Sequence, residues 1–275
     1  MRFVLAALLL AAPAQAQGWT HAGPSDKLAL QPGADAMVIA VAGLSAIAPE
    51  LLKQSLAPAA CRACNPSLNG VDAAFHDALT GSLFTRETAN TLSDVVGYGL
   101  GPVTALAGAA FATGPTSSQG AGGRAAVIVV ESAAVSAAVV QTTKFLVARE
   151  RPFVHYGHGA PGGAYDPADR DSHLGFPSGH TAIVTSLGVS AAMVATLQDS
   201  SAAPWLWGSA AALSISTGAL RMIAEKHYFT DVLAGSLIGA TAGVVVPLLH
   251  RRGSVLSETG SPGLGPTTIA LAGSF

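Results

Sequence analysis

Between residues 95 and 249 the chain is built from long stretches that carry almost no charge. Residues 95–123 contain no Asp, Glu, Lys or Arg, residues 125–143 contain only Glu131, and residues 181–198, 200–220 and 232–249 contain none. A hydrocarbon layer about 30 Å thick needs about 20 apolar helical residues to cross it, so each stretch has membrane length. They are rich in Ala, Gly and Ser, which lets helices approach closely in lipid. Composition points the same way: 50% of the 275 residues are hydrophobic and 11% charged, against about 25% charged in soluble domains. The expected fold class is an all-α helical bundle. The competing reading is a soluble bundle with Ala-rich buried helices. The formal net charge is −2 and no Lys or Arg run occurs, so nothing attracts a polyphosphate backbone and no nucleic-acid partner is expected.

The chain opens on Met1-Arg2, an apolar run to Ala12, then Pro13 and the triplet Ala14-Gln15-Ala16. Residues 1–16 therefore read as a signal peptide or a first membrane helix. Residues 17–90 read as an extracytoplasmic N-terminal segment, 91–252 as the helical domain and 253–275 as a Gly/Ser/Thr-rich tail. The apolar stretch at 36–48 is too short to span a bilayer and predicts an amphipathic or packed helix. Cys61 and Cys64 are the only cysteines. In an oxidising compartment their C-x-x-C spacing predicts a disulfide closing a small loop. With residues 149–177 on the outer side, the helices at about 124–147 and 178–197 run out and back. The last helix then ends inside at His250-Arg251-Arg252, in accord with the positive-inside rule.

Three short polar blocks flank the apolar helices, where ionisable groups are costly enough to point to function. The first is Lys144 with Arg151-Pro152 seven residues on. Two helical turns would bring both cations to one point, although such residues also snorkel. The second, Phe176-Pro177-Ser178-Gly179-His180-Thr181, precedes an apolar helix. It suits either an anion cradle of free amides or an ordinary helix cap with a surface histidine. The third is Arg221, His227 and Asp231. If the segment from 227 is helical, the carboxylate at i+4 can hold one imidazole nitrogen while the other stays free to attack. The alternative is a helix-end ion pair, and neighbouring Glu225 and Lys226 look like solvated charges.

Taken in order, Lys144-x6-Arg151-Pro152, Pro177-Ser178-Gly179-His180 and Arg221-x5-His227-x3-Asp231 resemble the three-part signature of the type 2 phosphatidic acid phosphatase superfamily. The resemblance covers residues 144–231. One departure is visible: the family commonly has Ser before the third-block Arg, where Leu220 stands here. The resemblance implies an all-α bundle of the phosphatase and haloperoxidase kind with about five to six membrane-spanning helices. It implies that His227 attacks phosphorus to form a phosphohistidine, that Asp231 orients it and that His180 protonates the departing oxygen. Lys144, Arg151, Arg221 and the amides near Ser178 and Gly179 would hold the phosphoryl oxygens. No cofactor and no metal are implied, because three fixed cations supply the charge compensation that phosphoryl transfer needs.

The expected activity is hydrolysis of a phosphate monoester or diphosphate of a membrane lipid, with the active site on the extracytoplasmic face of the inner membrane. The expected partners are that phosphorylated lipid or a small phosphate ester, and membrane lipid. Alternatives are a soluble periplasmic acid phosphatase, a vanadate-dependent haloperoxidase and a non-catalytic binder of lipid phosphate. His155, His158 and His173, without carboxylate partners in the sequence pattern, read as loop surface. Glu131 reads as bonded inside the bundle.

Overall fold

The structure is a computed structural model that describes residues 27–64, 68–79, 84–113, 120–164, 166 and 168–252. The N-terminal run at 1–16 and the tail at 253–275 lie outside the described residues. The long elements are α1 (Pro32–Leu51), α2 (Gly70–Leu79), α3 (Arg86–Ala112), α4 (Ala121–Val147), α5 (Gly179–Leu197), α6 (Ala203–Ile223) and α7 (Phe229–Leu249). No strand occurs among the described residues, which show only two isolated β-bridges. The fold is all-α.

Helix α5 is the axis of the bundle, with α3, α4, α6 and α7 packed around it and α1 laid against α4. The contact between α5 and α7 is made by a stripe of glycines one turn apart. A Cβ on Gly239 would stand 2.3 Å from the Ala182 carbonyl oxygen, and one on Gly243 2.9 Å from that of Ser186. Small residues thus let two backbones touch, which is how helices gain contact where lipid supplies no hydrophobic drive. Hydroxyls add bonds across the bundle, Ser132 to Ser190 at 2.9 Å and Thr185 to Ser214 at 2.6 Å.

Five helices are long and apolar enough to cross a membrane among the described residues: α1, α3, α4, α5 and α7. Their outer faces carry large apolar side chains, including Met37, Leu44, Val103, Phe111, Leu146 and Leu237, all exposed. Lipid is the solvent such faces suit. Two expectations change. The stretch at 36–48 belongs to a 20-residue helix, because Pro32 is tolerated at a helix start and Pro49 falls in the last turn. Conversely, the stretch at 200–220 is helical in α6 but is not among the five. Ser209, Ser214, Ser216, Thr217 and Arg221 lower its hydropathy.

The helices alternate in direction. At one end Lys27 pairs with Asp199, Leu28 with Arg251, and Ala29 N donates to His250 O at 2.8 Å. The opposite end collects the finishes of α1, α4 and α6 and the starts of α3, α5 and α7, and all three polar blocks lie there. Helix α2 lies against α6 and α7 at that end. Asp72 of α2 accepts hydrogen bonds from Thr230 N at 2.9 Å and Thr230 Oγ1 at 2.8 Å, so it caps α7 from another element.

Candidate active site

Lys144 is buried in the last turn of α4. The helix ends at Val147, and Ala148 adopts a left-handed conformation (φ 47°) while its amide closes on Lys144 O. The two cations of the first block are therefore not related by two turns of one helix, contrary to the sequence expectation; the break at Ala148 brings them together. The cysteine loop braces this break: Arg62 N donates to Ala148 O at 3.0 Å, and the sulfurs of Cys61 and Cys64 lie at bonding distance with Cα atoms 5.6 Å apart. Arg151 is buried, with Nε donating to Asp171 O at 2.8 Å, NH1 to Lys226 O at 2.9 Å and NH2 to Asp171 Oδ1 at 3.1 Å.

Ser178 caps α5 in extended conformation, and Gly179 and His180 occupy the first turn. The Ser178 amide donates to Asp231 O at 2.9 Å. It is thus not part of the expected cradle, whereas the first-turn amides of Gly179 and His180 have no intrahelical acceptor by helix geometry. Gly179 leaves room for Lys144: a Cβ there would lie 3.4 Å from Nζ. The His180 Nε2 lies 2.8 Å from Asp94 Oδ1 of α3, and its ring meets Tyr98 edge-on. Helix α3 makes room through a π-helical stretch, Val96–Leu100, just ahead of Pro102, where the missing amide breaks the regular ladder. Within it, a Cβ on Gly97 would stand 3.0 Å from His180 Cδ2.

Arg221 is buried at the end of α6. Its NH1 donates to Asn90 Oδ1 and Ser93 Oγ, both at 3.1 Å, while Nε has no hydrogen-bond partner among the described residues. An unmatched guanidinium N–H at a buried site is costly and calls for an anion. The chain then turns at Glu225 (φ 53°), and the amides of Lys226 and His227 close on Arg221 O. His227 precedes α7 and so does not share a helical face with Asp231, contrary to the sequence reading. Its Nδ1 bonds Gly175 O at 2.6 Å, and Asp231 Oδ2 is 3.8 Å away. Asp231 instead accepts from Arg149 NH1 and from Tyr228 N at 2.8 Å. A carbonyl rather than a carboxylate therefore orients this imidazole, leaving Nε2 turned towards Arg151, 3.4 Å from its NH1.

Lys144, Arg151, His180, Arg221 and His227 thus surround one region. Burial, then the charges of Arg151, Arg221 and Lys144, hold the His227 imidazole well below its ordinary value despite the Gly175 bond. Asp171 counters this crowd of cations. Burial alone would push its carboxyl up, but Arg151, Lys53, Lys144 and Lys226 hold it far below the usual carboxylate range.

Residues 125–253 match the family model of the PAP2 superfamily. No curated protein and no solved structure matches the chain. The PAP2 segment contains all three blocks but not every group around them. Asp94, Asn90 and Ser93 come from α3, Lys53 reaches Asp171 at 3.2 Å from the turn after α1, and Asp72 joins Asp231 through Arg149. Asp94 stands one residue before a charge-free run, the single sequence signal that marks it.

Other expectations change here. Glu225 is no solvated charge: it is buried and met by His158 Nδ1 at 2.8 Å, His76 Nε2 at 3.2 Å and Arg86 Nε at 2.9 Å. His158 accordingly has the carboxylate partner that the sequence did not reveal. Lys226 is half-buried, with its ammonium 5.2 Å from the centre of the Phe153 ring.

Proposed function

We propose that this protein is a phosphatase that hydrolyses the phosphate monoester or diphosphate of a membrane lipid through a phosphohistidine intermediate. PAP2 membership supports phosphate-ester hydrolysis. The observation that carries the mechanism is the His227 Nε2 edge, free of any carboxylate and facing Arg151, with the unmatched Nε of Arg221 in the same region.

His227 is neutral at pH 7 because burial and three cations disfavour its charged form. With Nδ1–H donated to Gly175 O, the Nε2 lone pair attacks phosphorus. The P–O bond to the leaving group breaks as the N–P bond forms, and His180 gives its proton to the departing oxygen. His180 then takes a proton from water, whose oxygen attacks phosphorus and breaks the N–P bond, releasing phosphate and restoring both imidazoles. Lys144, Arg151, Arg221 and the first-turn amides of α5 compensate the phosphoryl oxygens throughout. Asp231 acts one step back: it receives Arg149, and its carbonyl anchors the Ser178 amide. These chain groups supply the charge compensation and proton transfers of the reaction.

The lipid assignment rests on the place of the site, at the ends of long apolar helices whose flanks expose Val103, Leu146 and Leu237. An active site on the extracytoplasmic face agrees with His250-Arg251-Arg252 at the other end. The test is phosphate release from purified protein over a panel of lipid and water-soluble phosphates, wild type against His227→Ala. Release on lipid phosphates that vanishes in the variant, with an unchanged circular dichroism spectrum, is the expected outcome. Unchanged turnover in the variant removes the nucleophile, and activity on soluble esters alone removes the lipid.

A further inference from the structure

At the end of the bundle away from the phosphatase site, three ionisable side chains from three helices meet in the interior. Asp35 comes from the first turn of α1, Glu131 from the middle of α4 and His250 from the residue that follows α7, and all three are buried. One donor atom of each lies within 4.8 Å of the others. The proposed hydrolysis uses none of them.

The orientation of each group is set from outside the cluster. His250 Nδ1 bonds Val246 O at 2.8 Å, so Nε2 is the nitrogen turned inward. Asp35 Oδ2 accepts the Gln31 amide at 2.8 Å, which turns Oδ1 inward. Bonding of the second imidazole nitrogen to a backbone carbonyl is the support that metal-ligating histidines have. The inward atoms stand at ion-pair distance, and Nε2 makes a long hydrogen bond to Asp35 Oδ1, but neither contact closes to charge-assisted length. Nε2 is 3.4 Å from Asp35 Oδ1 and 3.3 Å from Glu131 Oε2, whereas charge-assisted bonds run at about 2.7–2.9 Å. Glu131 Oε2 is buried in a geometry that makes no hydrogen bond among the described residues.

Those separations have a simple reading. Donor atoms held at about 2.0–2.1 Å from a tetrahedral ion stand about 3.3 Å from one another. Charge supports it as well: two carboxylates and an imidazolium leave one negative charge in a low-dielectric interior, while two carboxylates, a neutral imidazole and a dication sum to zero.

We propose that Asp35, Glu131 and His250 form a three-ligand site for a divalent transition-metal ion, zinc by its donor set and spacing, that fastens α1 to α4 and α7 at the end opposite the phosphatase centre. The ion ties α1, which lies outside the PAP2 segment, to two helices within it. Water completes its coordination.

The test uses the full chain purified in detergent without chelators or immobilised metal. About one zinc per chain by elemental mass spectrometry is expected, falling at least several-fold in Glu131→Gln and in His250→Ala. After chelation, micromolar zinc should raise the melting temperature of the wild type by several degrees and leave Glu131→Gln unmoved. Cobalt offers a readout independent of stability, with visible bands of tetrahedral intensity in the wild type and not in Glu131→Gln, a variant close in shape to the native residue. A wild type that retains no metal and neither melts higher with zinc nor colours with cobalt overturns the proposal and makes the cluster an ion-paired histidine. Metal content equal in wild type and both variants overturns it too, since the ion then sits elsewhere. Phosphate release at 25 °C is expected to survive chelation, so failure here and failure of the hydrolase reading are told apart.

Discussion

The proposed nucleophile and the proposed proton donor, both histidines, are separated by what each ring touches. His227 has a backbone carbonyl on Nδ1 and cations around Nε2, whereas His180 has Asp94 at 2.8 Å and Tyr98 across its edge. Asp94 is then a positioning residue that holds the donor's ring. Asp94→Asn should lower kcat by about 100-fold with KM changed little, and Asp94→Glu should recover part of it; equal loss in kcat and gain in KM would point to substrate binding instead. Lys226 is a second residue-scale case. Burial and the neighbouring Arg151 lower its pKa to about 8. A depressed lysine is cationic below that value and neutral above it, so affinity for phosphate should fall as pH rises through about 8. Measured kcat/KM profiles should show that alkaline limb in the wild type and a shallower one in Lys226→Gln, with kcat/KM lower at pH 7.

Among the elements, the approach of α7 to α5 decides whether the second and third blocks can meet. Gly235 sits against the Ser178 carbonyl, where a Cβ would be 2.4 Å away, and Gly239 repeats the contact one turn on. Backbone cannot yield as a side chain tip can. Gly239→Ala should therefore cost about 1–3 kcal/mol and lower the melting temperature. Gly208→Ala on α6, where an added Cβ meets nothing within 4 Å, should not. Activity in Gly239→Ala should fall more steeply than stability, because the displacement separates His227 from His180. The Ala, Gly and Ser content of these helices was visible in the chain, but which glycines form the seam depends on how α5 and α7 face each other.

For the molecule as a whole, the division is between an apolar exterior and a charged end. Five helices of membrane length with exposed Leu, Val and Phe on their flanks lead us to expect that the protein stays with membranes after osmotic shock and alkaline washing, and leaves them only with detergent. Release into aqueous buffer would make it a soluble phosphatase. Vanadate should inhibit, since it takes the geometry of phosphate at the same cations and histidines.

The all-α class and the membrane-length helices were legible in the amino-acid order, because charge-free length is a property of the chain itself; that Lys144, Arg151, His180, Arg221 and His227 act together was implied only by the family resemblance of the three blocks. Partner choice was not legible. That His227 leans on Gly175 rather than Asp231, that Asp231 takes Arg149, that Asp94 holds His180 and that Glu225 gathers two histidines are contacts between residues 52 to 149 positions apart. The break at Ala148, the turn at Glu225 and the glycine seam set those contacts. Local sequence carries hydropathy and helix propensity; only the packed bundle decides which donor reaches which acceptor, because hydrogen bonds depend on angles and ångströms that no spacing along a chain contains.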